Sequence, residues 1–367
     1  MSTLAVNQIT DASGGATATI NTFTPTASNM AGRNRIINGA MMIDQRNAGA
    51  AVTSGYPVDR FFVANGTDGA FSAQQDSSAP AGFVNSVKVT TTTADGTLTA
   101  AQNLNFQQRI EGTNVADLGW GTANAKTVTL SFWVRSSLTG TFGGALLNND
   151  ANRSYPFSYS ISVADTWEYK TITIAGDTSG IWLTTTGIGL RVFFGLGAGS
   201  DRSGTAGAWV SATYTSATGA VSVIGTLNAT WYITGVQLEV GSVATPFEHR
   251  HYGQELALCQ RYYQKSYNQS TAVGTASTTG ELRYVVASSA GEANSSVVLP
   301  VVMRTSPTVT FYSPNNGASG YVYNYSTSTN SVMSGTNTVG ERGWSGGNAG
   351  FTATSLIGYQ YTAVAEL

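Results

Sequence analysis

Thr230-Trp-Tyr-Ile-Thr-Gly-Val-Gln-Leu-Glu-Val240 is the stretch on which the reading of this chain turns. Period-two alternation places Tyr232, Val236, Leu238 and Val240 on one face and Trp231 with Ile233 on the other, which predicts a strand. Gly241 and Pro246 end it, because proline lacks the ladder donor and glycine weakens pairing. From Gly253 to Tyr263 the spacing changes. Leu256, Cys259 and Tyr263 recur at i, i+3 and i+7 among good helix formers, which predicts a helix. No other stretch carries so clear a helical pattern, so the helix reads as a link between two β bodies.

Working outward, the N-terminal side is a succession of short strands and turns. Thr127, Thr129, Ser131 and Trp133 alternate with Val128, Leu130, Phe132 and Val134, the cleanest period-two segment in the chain. Phe61 and Val63 precede Asn65-Gly66, Val87 and Val89 lead to Asp95-Gly96, and Tyr169, Thr171 and Thr173 alternate with Ile172 and Ile174. Strands at this spacing without intervening helices predict an all-β antiparallel sandwich. A β-helix would show a fixed repeat length, and none is present. Beyond Ser266 a second β body is expected. Leu282, Tyr284 and Val286 alternate, and Pro314-Asn-Asn-Gly317 makes a strong turn. Before residue 30, Leu4, Val6, Ile9 and Ile20 flank an Asp11-Ala-Ser-Gly-Gly15 turn and predict a hairpin. So small an apolar set cannot hold itself up, and it must pack on copies of itself or on an anchoring structure. The expected division is an anchoring segment over 1–30, a sandwich over 31–250, a linking helix over 251–266 and a distal β-domain over 267–367.

Composition narrows the function. Only 10% of the 367 residues are charged, against about 25% in ordinary globular proteins. Yet 41% are hydrophobic and 10% aromatic, which argues against disorder. A net charge of −2 supplies no basic stripe for nucleic acid. No apolar run approaches the ~20 residues of a membrane span, and no basic, apolar leader opens the chain. Cys259 is the single cysteine, so no intrachain disulfide can form.

A set of motifs recurs in order along the chain. They are Arg33-Asn-Arg-Ile-Ile-Asn-Gly39 with Asp44-Gln-Arg46, Val58-Asp-Arg-Phe61, and Gln108-Arg-Ile-Glu-Gly112. Thr129-Leu-Ser-Phe-Trp-Val-Arg135, Thr166-Trp-Glu-Tyr-Lys170 and the run from Thr230 to Lys265 follow. In these the chain resembles a family of bacteriophage tail-fibre and virion proteins, common in marine phages and prophages. Val6-Asn-Gln-Ile-Thr-Asp-Ala-Ser-Gly-Gly15 is similar to the start of such fibres. The resemblance implies a jelly-roll-like, carbohydrate-binding-module-like domain followed by a variable distal domain. It implies a virion protein of the tail, assembled in the host bacterial cytoplasm, released by lysis and held at its N-terminus by other tail or baseplate proteins. The implied partner of the C-terminal domain is host surface polysaccharide or lipopolysaccharide. A head fibre or spacer, and a polysaccharide-cleaving spike, are the alternatives. Fibres project along an axis, and closed symmetry about it favours a homotrimer. Leu256, Leu258, Tyr262 and Tyr263 are then the expected oligomer or interdomain contacts, and Leu4, Val6, Ile9 and Ile20 the virion anchor.

Candidate chemistry is sparse. A glycosidase needs two carboxylates about 5 to 10 Å apart with separated pKa values, whereas Asp59, Glu111, Asp165, Glu168, Asp177, Glu239 and Glu248 are scattered singly. The expectation is a non-enzymatic protein whose acids fix turns and salt bridges. Gly343-Trp-Ser-Gly-Gly347 matches a nucleophile elbow formally, but both histidines lie upstream and no helix pattern follows. His249 and His251 flank Arg250 and lack a visible third metal ligand. No cofactor is expected. Jelly-roll sugar-binding domains often hold a structural calcium on carboxylates and carbonyls, and the sequence does not locate one here. Sugars offer apolar faces to aromatic rings, and Tyr321, Tyr323, Tyr325 and Trp344 are the expected glycan contacts. Trp120, Trp133, Trp167 and Trp231 lie in strand motifs and are expected in the core.

Overall fold

The strand Thr230–Val240 is the middle of a five-stranded antiparallel sheet. Ser86–Thr93 and Val128–Ser136 flank it, with Ala70–Asp76 and Glu168–Ile174 at the edges. The computed structural model describes residues 32–286, 296–333, 336, 338–345 and 351–367. One detail of the middle strand differs from its sequence reading. Its register against the neighbouring strand runs Thr234 to Trp133 and then Gln237 to Ser131, with Gly235 at φ 62°. This bulge inserts one residue and resets the alternation. Trp231 and Ile233 before it, and Val236 and Leu238 after it, therefore enter the same core, all fully buried. Strict period two had placed these pairs on opposite faces.

A second, six-stranded antiparallel sheet runs in the order Gly55–Val58, Phe61–Asn65, Asn103–Glu111, Ile188–Ala198, Gly140–Leu147 and Ser154–Ile161. The two sheets pack face to face through aromatic contacts. Phe106 lies 5.6 Å from Trp231, and Phe132 lies 5.0 Å from Phe194, between ring centroids. Full burial of each such side chain contributes roughly 1.5–3 kcal/mol. The antiparallel sandwich expected from the alternation is the observed architecture.

The helix covers Tyr252–Gln260 and is shorter than the pattern from Gly253 to Tyr263 predicts. Tyr263–Lys265 leaves it to pair with Val364, Ala363 and Thr362. Sheet pairing there outweighs local helix propensity. Leu256, Leu258, Cys259 and Tyr262 form one apolar cluster with Ile37, Met42, Ile43 and Leu367. Of the expected oligomer or interdomain contacts, Leu256, Leu258 and Tyr262 thus have partners within their own chain, and Tyr263 belongs to the distal sheet. Of the described residues, no helix is long and apolar enough to cross a membrane.

The distal body is built on Leu356–Val364. Tyr263–Lys265 and Leu282–Val285 line one edge of that strand, and Thr308–Tyr312 and Tyr321–Asn324 the other, with Thr329–Val332 beyond. A small sheet of Ser296–Val298, Gly343–Ser345 and Thr338–Gly340 stands beside it.

A buried polar seam joins the two bodies. Arg46 donates to Asp59 at 3.0 Å and to Glu366 at 2.7 Å. Arg60 pairs with Glu366, donates to the Arg109 carbonyl at 2.6 Å, and lies 3.5 Å from the Tyr262 ring centroid. Glu111 accepts from Arg261 at 2.7 and 2.8 Å and from the Tyr262 hydroxyl at 2.8 Å. The expected anchor residues Leu4, Val6, Ile9 and Ile20 lie outside the described residues.

Candidate functional site

The alternation over Thr127–Val134 sends Val128, Leu130, Phe132 and Val134 into the core, which leaves Ser131 and Trp133 on the outer face. Trp133 is half-buried there. It sits directly opposite Tyr169 on the next strand, with ring centroids 5.3 Å apart. Together they floor a groove of about 410 Å³. Its walls come from two loops. Residues 81–83 bring Phe83, and residues 244–249 bring Phe247 and His249. Phe83 packs 5.1 Å from Phe247 and 5.3 Å from His249, and Phe247 lies 4.9 Å from His249.

A buried acid and a half-buried one hold the second wall in place. Glu239 accepts from the Thr245 backbone N–H at 2.8 Å and from its hydroxyl at 2.6 Å. Gln237 accepts from the Glu248 N–H at 2.8 Å, and Glu248 accepts in turn from the N–H groups of Gly32 and Asn34 at 2.8 and 2.7 Å. Arg33 reaches the Pro246 carbonyl at 2.8 Å. Hydrogen-bonded carboxylates of this kind fix loop geometry, so Glu239 and Glu248 act as braces of the groove. An aromatic cleft of this volume with few polar groups has the character of a small-ligand or sugar-ring site.

Trp133 therefore corrects one expectation: it belongs to the outer groove. Trp231 is fully buried and Trp120 nearly so, as expected of core residues. Trp167 departs from the expectation as well: it is half-buried, outside the core cluster, at a centroid distance of 6.1 Å from Tyr232. The sequence alone does not mark Phe83, Tyr169 and Phe247 as groove residues, and it offers His249 with His251 as a hydrogen-bonded interface pair or a two-ligand metal site. The available signal was the partner set of Trp133, since a tryptophan in register with Thr127, Thr129 and Ser131 belongs to the polar face.

The distal aromatic candidates separate. Trp344 is 4% exposed and stands edge to face on Tyr361 at 4.6 Å, so it is a core residue of the distal body. Its strand partners are Val297 and Val339, and with them it lines a pocket of about 770 Å³, so only its edge is offered to a ligand. Tyr321 is exposed and Tyr323 half-buried. Tyr325 lies 4.8 Å from Tyr323, donates from its hydroxyl to Glu281 at 2.9 Å, and carries Arg283 over its ring at 4.4 Å. Its polar end is thus engaged internally, which leaves Tyr321 and Tyr323 as the outward rings. Ser345 lies in a short strand paired with residues 296–298 and 338–340, unlike an elbow serine.

The scattered acids are placed as structural partners. Asp59 takes Arg46 and Gln45, Asp177 takes Arg153 at 2.6 and 2.8 Å, and Asp165 faces Arg135 at 3.5 Å. Burial pushes the Asp59 carboxyl up in spite of Arg46. At Glu111, burial acts upward too, but hydrogen bonds from Arg261 and Tyr262 outweigh it and hold the carboxyl below its ordinary range.

No protein-family model and no curated protein matches the chain. Among solved structures it is similar to the enzymatically active domain of tailspike protein 4 of bacteriophage CBA120, at 13% identity and a TM-score of 0.29, over 57% of this chain and 21% of that one. It is similar to a carbohydrate-binding module, CBM4, at 16% identity and a TM-score of 0.28, over 56% and 98% of the two chains. A family 11 carbohydrate-binding module from Clostridium thermocellum, in complex with a β-1,3-1,4-mixed-linked tetrasaccharide, aligns at 11% identity and a TM-score of 0.27, over 53% and 96%. The structural neighbours of this chain thus include a phage tailspike and carbohydrate-binding modules.

Proposed function

We propose that the chain is a fibre protein of a bacteriophage virion that recognises a host-surface glycan without cleaving it. The observation that carries the recognition is the groove over Trp133 and Tyr169, walled by Phe83, Phe247 and His249. Sugar rings stack on aromatic faces, and Ser131 and the exposed His249 in the lining offer polar groups to hydroxyls. The ordered motifs from Arg33 to Lys265 support the virion assignment through the family they resemble. In this reading the N-terminal segment attaches to the tail, the assembly is a homotrimer, and the distal body carries a second contact through Tyr321 and Tyr323.

Binding to purified host polysaccharide or lipopolysaccharide tests the proposal. The protein is expected to bind and to release no reducing ends. Trp133→Ala should weaken binding by about tenfold or more, since loss of one stacking ring removes on the order of 1–3 kcal/mol. Tyr321→Ala separates the distal contribution. Absence of binding to any surface glycan would sink the recognition role, and release of reducing ends would make the protein a cleaving spike. Sedimentation as a monomer at micromolar concentration would remove the trimer. Normal incorporation of a protein lacking residues 1–30 into particles would remove the anchor.

A further inference from the structure

A second cavity, of about 190 Å³, lies at one end of the sandwich and shares no residue with the groove. Val115, Leu118, Trp120 and Leu190 line it from the core, and Trp182 and Leu183 from the loop after the strand Glu168–Ile174. Trp120, Trp182 and Trp209 form a mutual edge-to-face trio with centroids 4.8 to 5.3 Å apart. All three indole donors are already used. Trp120 donates to the Lys126 carbonyl at 2.8 Å, Trp182 to Ser179 at 3.1 Å and Trp209 to Ala175 at 2.7 Å. The Thr122 hydroxyl donates to the Gly119 carbonyl at 2.6 Å. No charged side chain enters the lining.

These facts select a ligand class. A sugar would find its hydroxyls poorly matched, because burying polar groups without partners is costly. Water entering past the exposed Thr122 and Thr184 at the mouth would meet few of the two to four polar neighbours it needs further in, whereas an apolar cavity of about 150 Å³ takes up benzene. We propose that this cavity binds a small uncharged aromatic compound of one or two fused rings, held against Trp120 and Trp182 and the leucines around them. The site is independent of glycan recognition in the groove.

The test uses the full chain with toluene and p-xylene as probes, read by tryptophan fluorescence and by thermal unfolding. Saturable quenching and a rise in melting temperature are expected, because a ligand that binds only the folded state stabilises it by mass action. Leu183→Phe fills the cavity and should abolish both responses. Trp182→Ala removes one wall and should weaken binding by about tenfold, each tenfold step being 1.4 kcal/mol. Trp133→Ala alters only the groove and should leave both responses unchanged. No saturable response from the wild-type protein up to the solubility limit overturns the proposal. So does a response that persists in Leu183→Phe and in Trp182→Ala, or one that disappears in Trp133→Ala. Should Leu183→Phe fail to fold, Trp182→Ala against Trp133→Ala decides by the same readings.

Discussion

Glu111 shows how much one side chain can decide. It is fully buried, at the end of the strand Asn103–Glu111, and meets Arg261 and Tyr262 just beyond the helix. Glu111→Gln removes the charge while keeping the shape. The expected loss is about 2–3 kcal/mol at neutral pH, moderated because Arg261 is partly solvated. The pH dependence has a definite sign. The folded carboxyl titrates below its ordinary value of about 4.3, so its contribution is present above that value and is lost as pH falls through the lower, folded one. Asp59, pushed up by burial, acts in the opposite sense: its contribution falls as pH rises through its folded value. Comparing wild type with Glu111→Gln by urea unfolding isolates the first effect. The difference should shrink in acid, and a difference independent of pH would contradict the assignment. Little of this was legible in the sequence. Gln108-Arg-Ile-Glu-Gly112 marks Glu111 as a motif residue, but its partner lies 150 positions away. Trp133 is the contrary case: it was expected in the core, although its alternation with Thr129 and Ser131 marks the polar face.

At the scale of elements, the strand Thr230–Val240 was readable from end to end, and its bulge was not. Period two carries no mark for an inserted residue except a glycine, and this chain has 42 of them. Gly235 matters for two reasons. Its φ of 62° is one that a residue with a Cβ adopts only at a cost, and it lines the groove. A Cβ added there would fall 2.7 Å from the Phe83 ring and 3.1 Å from Trp133. The bulge therefore both resets the core alternation and makes room for the groove's aromatic wall. Gly235→Ala should cost about 1–2 kcal/mol from the left-handed backbone alone. It should also displace Phe83 and reduce glycan affinity. The two effects are measured separately, by denaturant midpoint and by binding to the polysaccharide. Unchanged affinity in a destabilised variant would show that Phe83 is not a working wall of the site. The helix failed in the other direction, since its pattern continued past the point where Tyr263 is taken up by a strand partner 101 residues later.

For the whole molecule, the core falls into two main clusters, one in the sandwich and one around the strand Leu356–Val364, and the bond between them carries no mark in the sequence. That bond is ionic and buried. Glu366 follows the central distal strand, and its carboxylate receives Arg46 and Arg60 from the sandwich. Gln45 adds a hydrogen bond to the Tyr263 carbonyl at 2.9 Å. Arg60 is only 2% exposed at its side chain, and besides Glu366 it meets the Arg109 carbonyl and the Tyr262 ring. A buried guanidinium deprived of its carboxylate is strongly unfavourable, by about 3–5 kcal/mol. The sandwich therefore depends on a residue of the distal body for its own charge balance, and the two should unfold together. Calorimetry of the wild-type protein is expected to show one transition. Glu366→Gln should move that whole transition to lower temperature, because the lost pair belongs to both bodies at once. Arg60→Met, which removes the cation together with its need for a partner, should recover part of the loss when combined with Glu366→Gln. Two separate transitions in the wild type, with only the distal one displaced in Glu366→Gln, would mean that the seam holds the bodies in contact without making their folding cooperative.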